Sequence, residues 1–388
     1  MTEATTSQRI DTDAIESAWR SIEAAAERHE FGGAVALVRY RGETVLHRAT
    51  GWAVREPEDQ RTPMALDTLF DLASLTKVVA TTPSVLQLVA EGTIELDEPV
   101  GTYLPEFGTD GDKAGVTIRR LLAHTSGVLS WRAVFLEASG PDGYLANIAK
   151  DQPYKTPGEQ VEYTCLGFIL LGEVVRRVSG RSVPEYAAEH VFRPLGMMDS
   201  MFTPPVEIRG RIAATENGND FEADKEKGTP VTGPWRDYLI RGEVHDGNAW
   251  YGFGGLSANA GLFGTAADLA RYGQMWLNGG EIDGVRILPE TIVREATREQ
   301  TGLDAPNDRR GLGWLMAPRP GEDAATHSGR GLSQAAYGHT GFTGTSLWMD
   351  PERDLVIVLL TNRVHPSVNP AYLPTRANFT ETIARACS

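Results

Sequence analysis

The sequence predicts an α+β protein: an antiparallel sheet flanked by N- and C-terminal helices, with an inserted lobe that is mostly helical. Strand patterns occur near both ends of the chain, at 34–40 and 43–49 and again at 345–350 and 354–361. Between about residues 97 and 277 the pattern changes to short helical pieces broken by many glycines and prolines. We therefore expect both chain ends to complete one sheet, assigned to residues 1–96 and 278–388, with 97–277 inserted as a second lobe.

The N-terminal elements are a helix and a hairpin. Asp13 is a candidate N-cap with Glu16 three residues later, and a helical apolar stripe follows at Ile15, Trp19, Ile22 and Ala26. The strands 34–40 and 43–49 then flank Arg41-Gly42, where glycine supplies a tight turn. This hairpin begins the antiparallel sheet.

The next elements are helices and a second hairpin. One helix is predicted from Ser74 to Glu91-Gly92, with Pro83 bending it or removing one backbone hydrogen bond. Further helices are predicted at 117–123 and 166–178. The second hairpin turns at Asp350-Pro-Glu-Arg353, and a terminal helical stripe is formed by Phe379, Ile383 and Ala386.

Composition excludes several classes of protein. The 388 residues are 41% hydrophobic and 23% charged, and the net charge is 37 − 52 = −15 with no basic run. This balance argues against nucleic acid and anionic membrane as partners. The N-terminus lacks a signal-peptide pattern and no apolar run approaches a membrane span, so we expect a cytoplasmic protein. With two cysteines, Cys165 and Cys387, neither a disulfide framework nor a cysteine-rich zinc site is available.

The chain is organised around Asp71-Leu-Ala-Ser-Leu-Thr-Lys77. At a spacing of three on a helix, Ser74 and Lys77 project from one face. A serine hydroxyl needs a neighbour to remove its proton, and a lysine does so only where its surroundings disfavour the ammonium. A helix N-terminus is expected to lower the lysine pKa and to stabilise an oxyanion beside the serine.

Two further short motifs supply groups for the same chemistry. Tyr163 precedes Thr164-Cys165 and an apolar run; a phenol beside a lysine can accept the serine proton and return it to a leaving group. His339-Thr340-Gly341 stands at the start of the terminal hairpin, where the glycine would let substrate approach the strand backbone. Each motif alone is also compatible with ordinary packing.

Taken in this order, S-x-x-K, the tyrosine motif and H-T-G resemble the serine β-lactamase and penicillin-binding protein superfamily. The similarity is to its class C-like branch, which includes D-amino-acid peptidases and family VIII carboxylesterases. It runs from about Glu30 to His365. Four further stretches carry the same resemblance: Leu121-Leu-Ala-His-Thr-Ser-Gly127, Pro194-Leu-Gly-Met197, Ala260-Gly-Leu-Phe-Gly-Thr-Ala-Ala-Asp268 and Gly338-His-Thr-Gly-Phe-Thr-Gly344.

The resemblance implies a β-lactamase/DD-peptidase-like fold with the active site between the lobes, and a role for each motif residue. Ser74 would be the acylated nucleophile, with Lys77 and Tyr163 sharing the base and acid roles. His339 would replace the lysine often found in the third motif and orient substrate or the tyrosine. The oxyanion hole would be the backbone N–H groups of Ser74 and Phe342. No metal or cofactor is implied. With no assignable deacylation glutamate, Tyr163 would activate the hydrolytic water.

Cys165 departs from the family pattern, which usually has asparagine there. A thiol cannot replace both hydrogen bonds of an amide, so the departure favours an ester over a β-lactam or peptide substrate. Thr340 and Gly341 are further candidate substrate-binding residues. Trp131, Trp250 and Tyr251 are candidates for an apolar acyl pocket, although aromatic residues in glycine-rich loops often pack locally.

The expected function is that of a serine hydrolase acting through an acyl-enzyme. The preferred interpretation is a carboxylesterase on small or medium esters. β-Lactamase or D-amino-acid peptidase or amidase activity is the alternative, and a non-catalytic binding relative is a third possibility.

A rival mechanism would pair a serine with His245-Asp246 as a catalytic triad. No G-x-S-x-G motif supports it. His124 is expected to be structural. The oligomeric state is left open.

Overall fold

The computed structural model describes residues 10–225, 235–302, 308–322 and 327–388. All structural statements below refer to these residues. In chain order the strands are β1 (Gly33–Tyr40), β2 (Glu43–Val54), β3 (Thr62–Pro63), β4 (Phe70–Asp71), β5 (Met201–Phe202), β6 (Leu262–Gly264), β7 (Glu281–Ile282), β8 (Val285–Arg286), β9 (Leu315–Met316), β10 (Tyr337–Thr340), β11 (Ser346–Asp350) and β12 (Leu355–Thr361).

The main sheet joins the two ends of the chain. Its order is β3-β2-β1-β12-β11-β10-β9, and its strand pairs are antiparallel. β1 pairs with β12 from Ala34 opposite Thr361 to Tyr40 opposite Leu355. The predicted α+β class, with one antiparallel sheet completed by both chain ends, is confirmed. β4, β6 and β5 form a small second sheet, which leads into the Ser74 segment.

Helices surround the sheet and fill the middle of the chain. Within the described residues none of them combines the length and apolar character needed to cross a bilayer. In chain order they are α1 (Thr12–Glu27), α2 (Thr82–Ala90), α3 (Val100–Tyr103), α4 (Ile118–Leu122), α5 (Gly140–Ile148), α6 (Cys165–Ser179), α7 (Val183–Ala187), α8 (Arg193–Leu195), α9 (Asp220–Lys225), α10 (Ala266–Leu277), α11 (Glu290–Thr297) and α12 (Tyr372–Ala386).

The two faces of the sheet are buried against different partners, because successive strand residues point to opposite sides. On one face Ala36 and Val38 lie in a cluster with apolar residues of α1 and α12. On the other face Val35 and Leu37 belong to the larger cluster that includes the helices of the middle region. α10, placed by sequence in the inserted lobe, packs against β1, β11 and β12. The division at residues 97 and 277 stays a prediction.

Several predicted elements form with revised details. The N-cap of α1 is Asp11, whose side chain accepts from the Ala14 N–H, rather than Asp13. The helix after Ser74 contains a π-helical segment, Lys77–Thr81, immediately before α2, where Pro83 cannot donate a backbone hydrogen bond. The His339 motif lies on its own strand, β10, next to the predicted terminal hairpin.

Candidate active site

Ser74 follows a sharp backbone turn at the end of β4. Ala73, immediately before it, has a φ of 47°, in the left-handed region that non-glycine residues rarely adopt. The buried Asp71 carboxylate holds this turn: Oδ1 accepts from the Ala73 N–H over 2.9 Å and Oδ2 from the His245 N–H over 2.7 Å. These contacts fix the backbone that places Ser74 in the wall of a cleft.

The Lys77 ammonium is fully buried and directed at the serine. Its Nζ lies 3.1 Å from Ser74 Oγ, 2.9 Å from the Asn259 carbonyl oxygen and 3.4 Å from Cys165 Sγ. Burial disfavours the ammonium, but the ionisable Cys165 and Tyr163 beside it outweigh that effect and raise the pKa of Lys77. This direction is opposite to the one expected from the helix N-terminus. Lys77 is therefore a cation at rest and must lose a proton before it can act as a base.

Tyr163 stands directly before α6 and shares the cleft with Ser74. Its neighbour Thr164 caps α6 and donates its N–H to His124 Nδ1 over 3.0 Å, which confirms a structural contact for that histidine. Among the described residues, the buried Tyr163 hydroxyl has no hydrogen bond of good geometry. Burial raises the pKa of Tyr163, although the nearby Lys77 charge lowers it. The phenol is therefore neutral at rest.

The predicted oxyanion-hole donors, Ser74 and Phe342, lie on two loops that are tied together. Thr343 Oγ1 donates to the Asp71 carbonyl oxygen over 2.6 Å and so holds the loop after β10 against the serine turn. Both Ser74 and Phe342 line the cleft. In the part of the chain that the structure describes, neither N–H donates to another backbone carbonyl. These donors remain available for an oxyanion.

The third motif brings its histidine close to the tyrosine, and its glycine packs closely on the serine turn. The His339 and Tyr163 ring centroids are 5.9 Å apart. A Cβ at Gly341 would lie 2.1 Å from Thr345 Oγ1 and 2.5 Å from the Leu72 carbonyl oxygen. Gly341 is therefore required for packing against the serine turn, and its role in substrate approach stays a prediction. Thr340, half-buried, accepts from His339 Nδ1 through its carbonyl oxygen over 2.8 Å.

Cys165 is the first residue of α6 and lines the cleft beside Ser74. Burial raises the pKa of its thiol, although Lys77 opposes this effect, so the sulfur is not a thiolate at rest. The carbonyl oxygen of Asn259 accepts from the lysine in addition to the sulfur. The Asn259 side chain is held by two contacts, since its Oδ1 accepts from Ser257 and its Nδ2 donates to Asp246, and the amide nitrogen has a second N–H to donate.

The cleft has a volume of about 220 Å³ and a mixed lining. Trp131 contributes to it, as predicted from sequence. Aromatic, acidic and small side chains share the wall, which consists of Ala73, Ser74, Ser130, Trp131, Tyr163, Cys165, Phe221, Glu222, His245, Asp246, Ala260 and Phe342.

The structure places Trp250 and Tyr251 outside this lining. The Trp250 ring packs on the Arg236 guanidinium, 5.1 Å from the ring centroid. The Tyr251 hydroxyl donates to Asn219 Oδ1 over 2.9 Å and accepts from the Arg236 N–H over 2.8 Å. Both side chains are held by contacts of their own, so we remove them from the candidate substrate-binding residues.

His245 reaches the cleft but is not arranged as a triad base. Its Nε2 lies 2.8 Å from Glu216 Oε2 in a buried pair. Burial disfavours the imidazolium, but Glu216 and the nearby Glu222 and Asp71 carboxylates outweigh it and raise the pKa of His245. A histidine held towards its cationic form is a poor proton acceptor, and Ser74 Oγ is bonded to Lys77 instead.

Sequence reasoning missed three residues at or behind the cleft, Glu222, Asn259 and Arg310, and named Asp246 only as part of a rival triad. Glu222 and Asp246 form an acidic part of the wall, and burial together with the Asp246 charge raises the pKa of Glu222 to about 7. Asn259 precedes the quoted Ala260-Gly-Leu-Phe motif by one residue, which is the one signal that pointed to it. Arg310 packs behind the tyrosine, its Cζ 5.6 Å from the Tyr163 ring centroid, and no motif marked it.

Comparison with known proteins identifies a family and similar chains. The family described as "Beta-lactamase" matches residues 19–380. The "Putative D-alanyl-D-alanine carboxypeptidase" of Salmonella agona (strain SL483) is 31% identical over 353 residues, which cover 85% of this chain and 78% of that protein. A penicillin-binding protein homologue from Caulobacter crescentus has a TM-score of 0.73 at 23% identity, covering 97% of this chain and 99% of the other. A family VIII carboxylesterase has a TM-score of 0.72 at 23% identity, covering 98% and 99%.

The family match spans nearly the whole described chain and includes all three motifs. The fold and the Salmonella relative agree with it. The chain belongs to the β-lactamase family of serine hydrolases.

Proposed function

We propose that the protein forms an acyl-enzyme on Ser74 and hydrolyses small or medium carboxylic esters. The observation that carries this proposal is the 3.1 Å contact between Ser74 Oγ and the buried Lys77 Nζ, with the Tyr163 hydroxyl in the same cleft. A nucleophile next to a group that can take its proton is the minimum arrangement for acyl transfer.

The proposed reaction has two halves. The Lys77–Tyr163 pair first loses one proton to solvent. Ser74 Oγ then attacks the ester carbonyl while its proton passes to the deprotonated pair, and the developing oxyanion is bound by the N–H groups of Ser74 and Phe342. The pair then protonates the departing alkoxide. A water then attacks the acyl-enzyme carbonyl while the deprotonated pair accepts its proton through Tyr163. The pair returns this proton to Ser74 Oγ as the carboxylic acid leaves.

The ester preference is supported by the cleft wall. Cys165 stands where the family usually has an asparagine, and its neutral thiol cannot supply the paired donor and acceptor that recognise an amide. The side chain of the nearby Asn259 is also held by Ser257 and Asp246. At about 220 Å³ the cleft is smaller than a typical drug-sized pocket, which favours small substrates.

A second candidate is carboxypeptidase activity on D-alanyl peptides. It is favoured by the Salmonella relative, whose name states that activity and which matches 85% of this chain. β-Lactam hydrolysis and a purely binding function are the other outcomes that a test must separate.

The test begins with a fluorophosphonate, a reagent that phosphonylates activated serines. Intact mass and peptide mapping should show one adduct, on Ser74, which is absent in Ser74→Ala. Turnover is then measured with p-nitrophenyl acetate, butyrate and octanoate, nitrocefin and a D-alanyl-D-alanine peptide. We expect the short esters to have the highest kcat/KM. An unlabelled Ser74 would overturn the acyl-enzyme, whereas labelling with faster peptide or nitrocefin turnover would overturn only the ester assignment.

A further inference from the structure

Arg363 is a buried cation placed against the loop that carries a proposed oxyanion-hole donor. It stands just after the end of β12 and is 8% exposed. Its Nε donates to the Phe342 carbonyl oxygen over 2.7 Å, and its Cζ lies 4.9 Å from the centroid of the Phe342 ring. As far as the structure describes the cleft, its wall includes Phe342 but not Arg363. Arg363 therefore holds Phe342 from behind the cleft.

The end of β12 runs alongside the turn that joins β10 to β11. The Arg363 N–H donates to the Thr343 carbonyl oxygen over 3.0 Å. The stem of Arg363 packs on Gly344, where an added Cβ would lie 3.0 Å from Arg363 Cγ. Gly344 has a φ of 107°, a conformation that glycine adopts without strain. Contacts with three successive residues of the turn thus fix the arginine in place.

The turn itself sets the direction of the Phe342 N–H. The Gly344 N–H donates to the Gly341 carbonyl oxygen over 3.0 Å and closes the turn. In a planar trans peptide the N–H points opposite to the carbonyl of the preceding residue, so the Phe342 N–H is directed away from the inside of the turn. The proposed mechanism uses this N–H, and its exact direction depends on how Phe342 is held.

Phe342 is held at its carbonyl and at its ring. Among the described residues, Arg363 Nε is the one group that donates to the Phe342 carbonyl oxygen. Besides the guanidinium, the ring contacts the rings of Phe221 and His245, with centroid distances of 4.9 Å and 5.5 Å. Because the N–H belongs to the same residue, fixing the carbonyl and the ring restricts its rotation.

We propose that Arg363 is a positioning residue of the Ser74 site, which holds Phe342 so that its N–H faces the oxyanion. This inference rests on the proposed function. An arginine suits the position because the edge of its planar guanidinium can donate to a carbonyl while its face packs on an aromatic ring. A lysine ammonium is a point charge and lacks that geometry.

Loss of the Arg363 contact should weaken binding of the transition state and leave binding of the ester nearly unchanged. The oxyanion forms only after Ser74 attacks, so a displaced N–H lowers kcat and kcat/KM together. Loss of a whole oxyanion-hole donor lowers kcat by about 10²–10³-fold, and a displaced donor should cost less. For p-nitrophenyl butyrate we expect Arg363→Met to lower kcat about ten- to hundredfold, with KM changed by less than about threefold.

Tyr372→Phe is the matched control. It removes one hydrogen bond to the Gly344 carbonyl oxygen of the same turn, and Thr361 Oγ1 still donates to that oxygen. The second measurement is the inhibition constant of a trifluoromethyl ketone, which forms a tetrahedral oxyanion on a serine. It should rise about ten- to hundredfold in Arg363→Met and stay within about twofold of wild type in Tyr372→Phe. End-point labelling by a fluorophosphonate gives the number of active sites, and all rates are expressed per labelled site.

An NMR measurement follows the Phe342 N–H directly. Isotope labelling of the backbone nitrogen at the 12 phenylalanines gives one amide resonance for each of them. The Phe342 resonance is assigned by its absence in Phe342→Leu. It should move or broaden in Arg363→Met and remain unchanged in Tyr372→Phe.

A folded Arg363→Met with a wild-type kcat, inhibition constant or Phe342 resonance would overturn the inference. Equal losses in Arg363→Met and Tyr372→Phe would also overturn it, because the turn would then need only general stability. If Arg363→Met does not fold, Arg363→Lys decides. It keeps a cation but has no N–H at the Nε position, so a wild-type inhibition constant and Phe342 resonance there contradict the assignment. Failure of wild type to label at Ser74 would instead refute the proposed function, and the Phe342 resonance would still test whether Arg363 holds that residue.

Discussion

Lys77 and Asn259 are joined by a buried hydrogen bond of 2.9 Å from the lysine ammonium to a main-chain carbonyl oxygen. A carbonyl can accept but not donate, so this contact stabilises the charged form of the lysine. The same ammonium donates to Ser74 Oγ. The resting site is thus organised around a protonated lysine, and catalysis must begin from it.

The first prediction concerns pH. The pKa values of Lys77 and Tyr163 are both raised, and whichever of them accepts the serine proton must first be deprotonated. The value of kcat/KM for a p-nitrophenyl ester should therefore rise about tenfold per pH unit from roughly pH 6 to 9, without levelling. Ser74→Ala measures the background hydrolysis. If kcat/KM levels off below about pH 8 while the chemical step is rate-limiting, the Lys77–Tyr163 pair loses its proton at a lower pH than this arrangement implies.

The second prediction concerns Ser74 and Lys77 as one unit. Each single alanine variant should lose on the order of 10²–10⁴-fold in ester turnover, because nucleophile and base act in the same step. The double variant should lose little more than either single variant. Steady-state rates with matched thermal melts would test this. If the loss of rate in the double variant equals the product of the two single losses, the two residues act independently.

The third prediction concerns the departure from the family pattern at Cys165. Cys165→Asn should raise cephalosporin turnover relative to ester turnover by a few-fold to about tenfold, the effect of one recovered hydrogen bond. Cys165→Ala, which adds no amide, is the matched control and should leave that ratio unchanged. If the asparagine variant is folded and active on esters but keeps the wild-type ratio, Cys165 does not set the preference for esters.

The fourth prediction concerns stability. Gly341→Ala would force a Cβ within 2.5 Å of the Leu72 carbonyl oxygen, and overpacking of this kind costs about 1–3 kcal/mol of unfolding free energy. Gly210→Ala is the control: its added Cβ meets nothing within 4 Å, so its effect should stay within about 0.5 kcal/mol. Chemical denaturation of both variants gives the comparison. Equal stability would show that the serine turn is not packed tightly on the loop after β10.

Local patterns were sufficient for the four central strands β2, β1, β12 and β11 and for the contact between Ser74 and Lys77. The alternation at 34–40 and 354–361 predicted the two strands that pair as β1 and β12, because strand burial imposes a period of two on the residues themselves. The spacing of Ser74 and Lys77 likewise predicted their contact, since neighbours on one helical turn meet whatever surrounds them.

The charge state and the walls of the site depended on residues distant in the chain. Asn259 is 182 positions from Lys77, and the carbonyl that favours the ammonium carries no side-chain signature. Arg310 reaches Tyr163 only through the β9–β10 pairing, and Trp250 and Tyr251 are kept out of the cleft by Arg236 and Asn219. Burial and Coulomb interactions depend on distances in space, so the tertiary structure decided the direction of the Lys77 pKa shift, which local sequence reasoning predicted with the wrong sign.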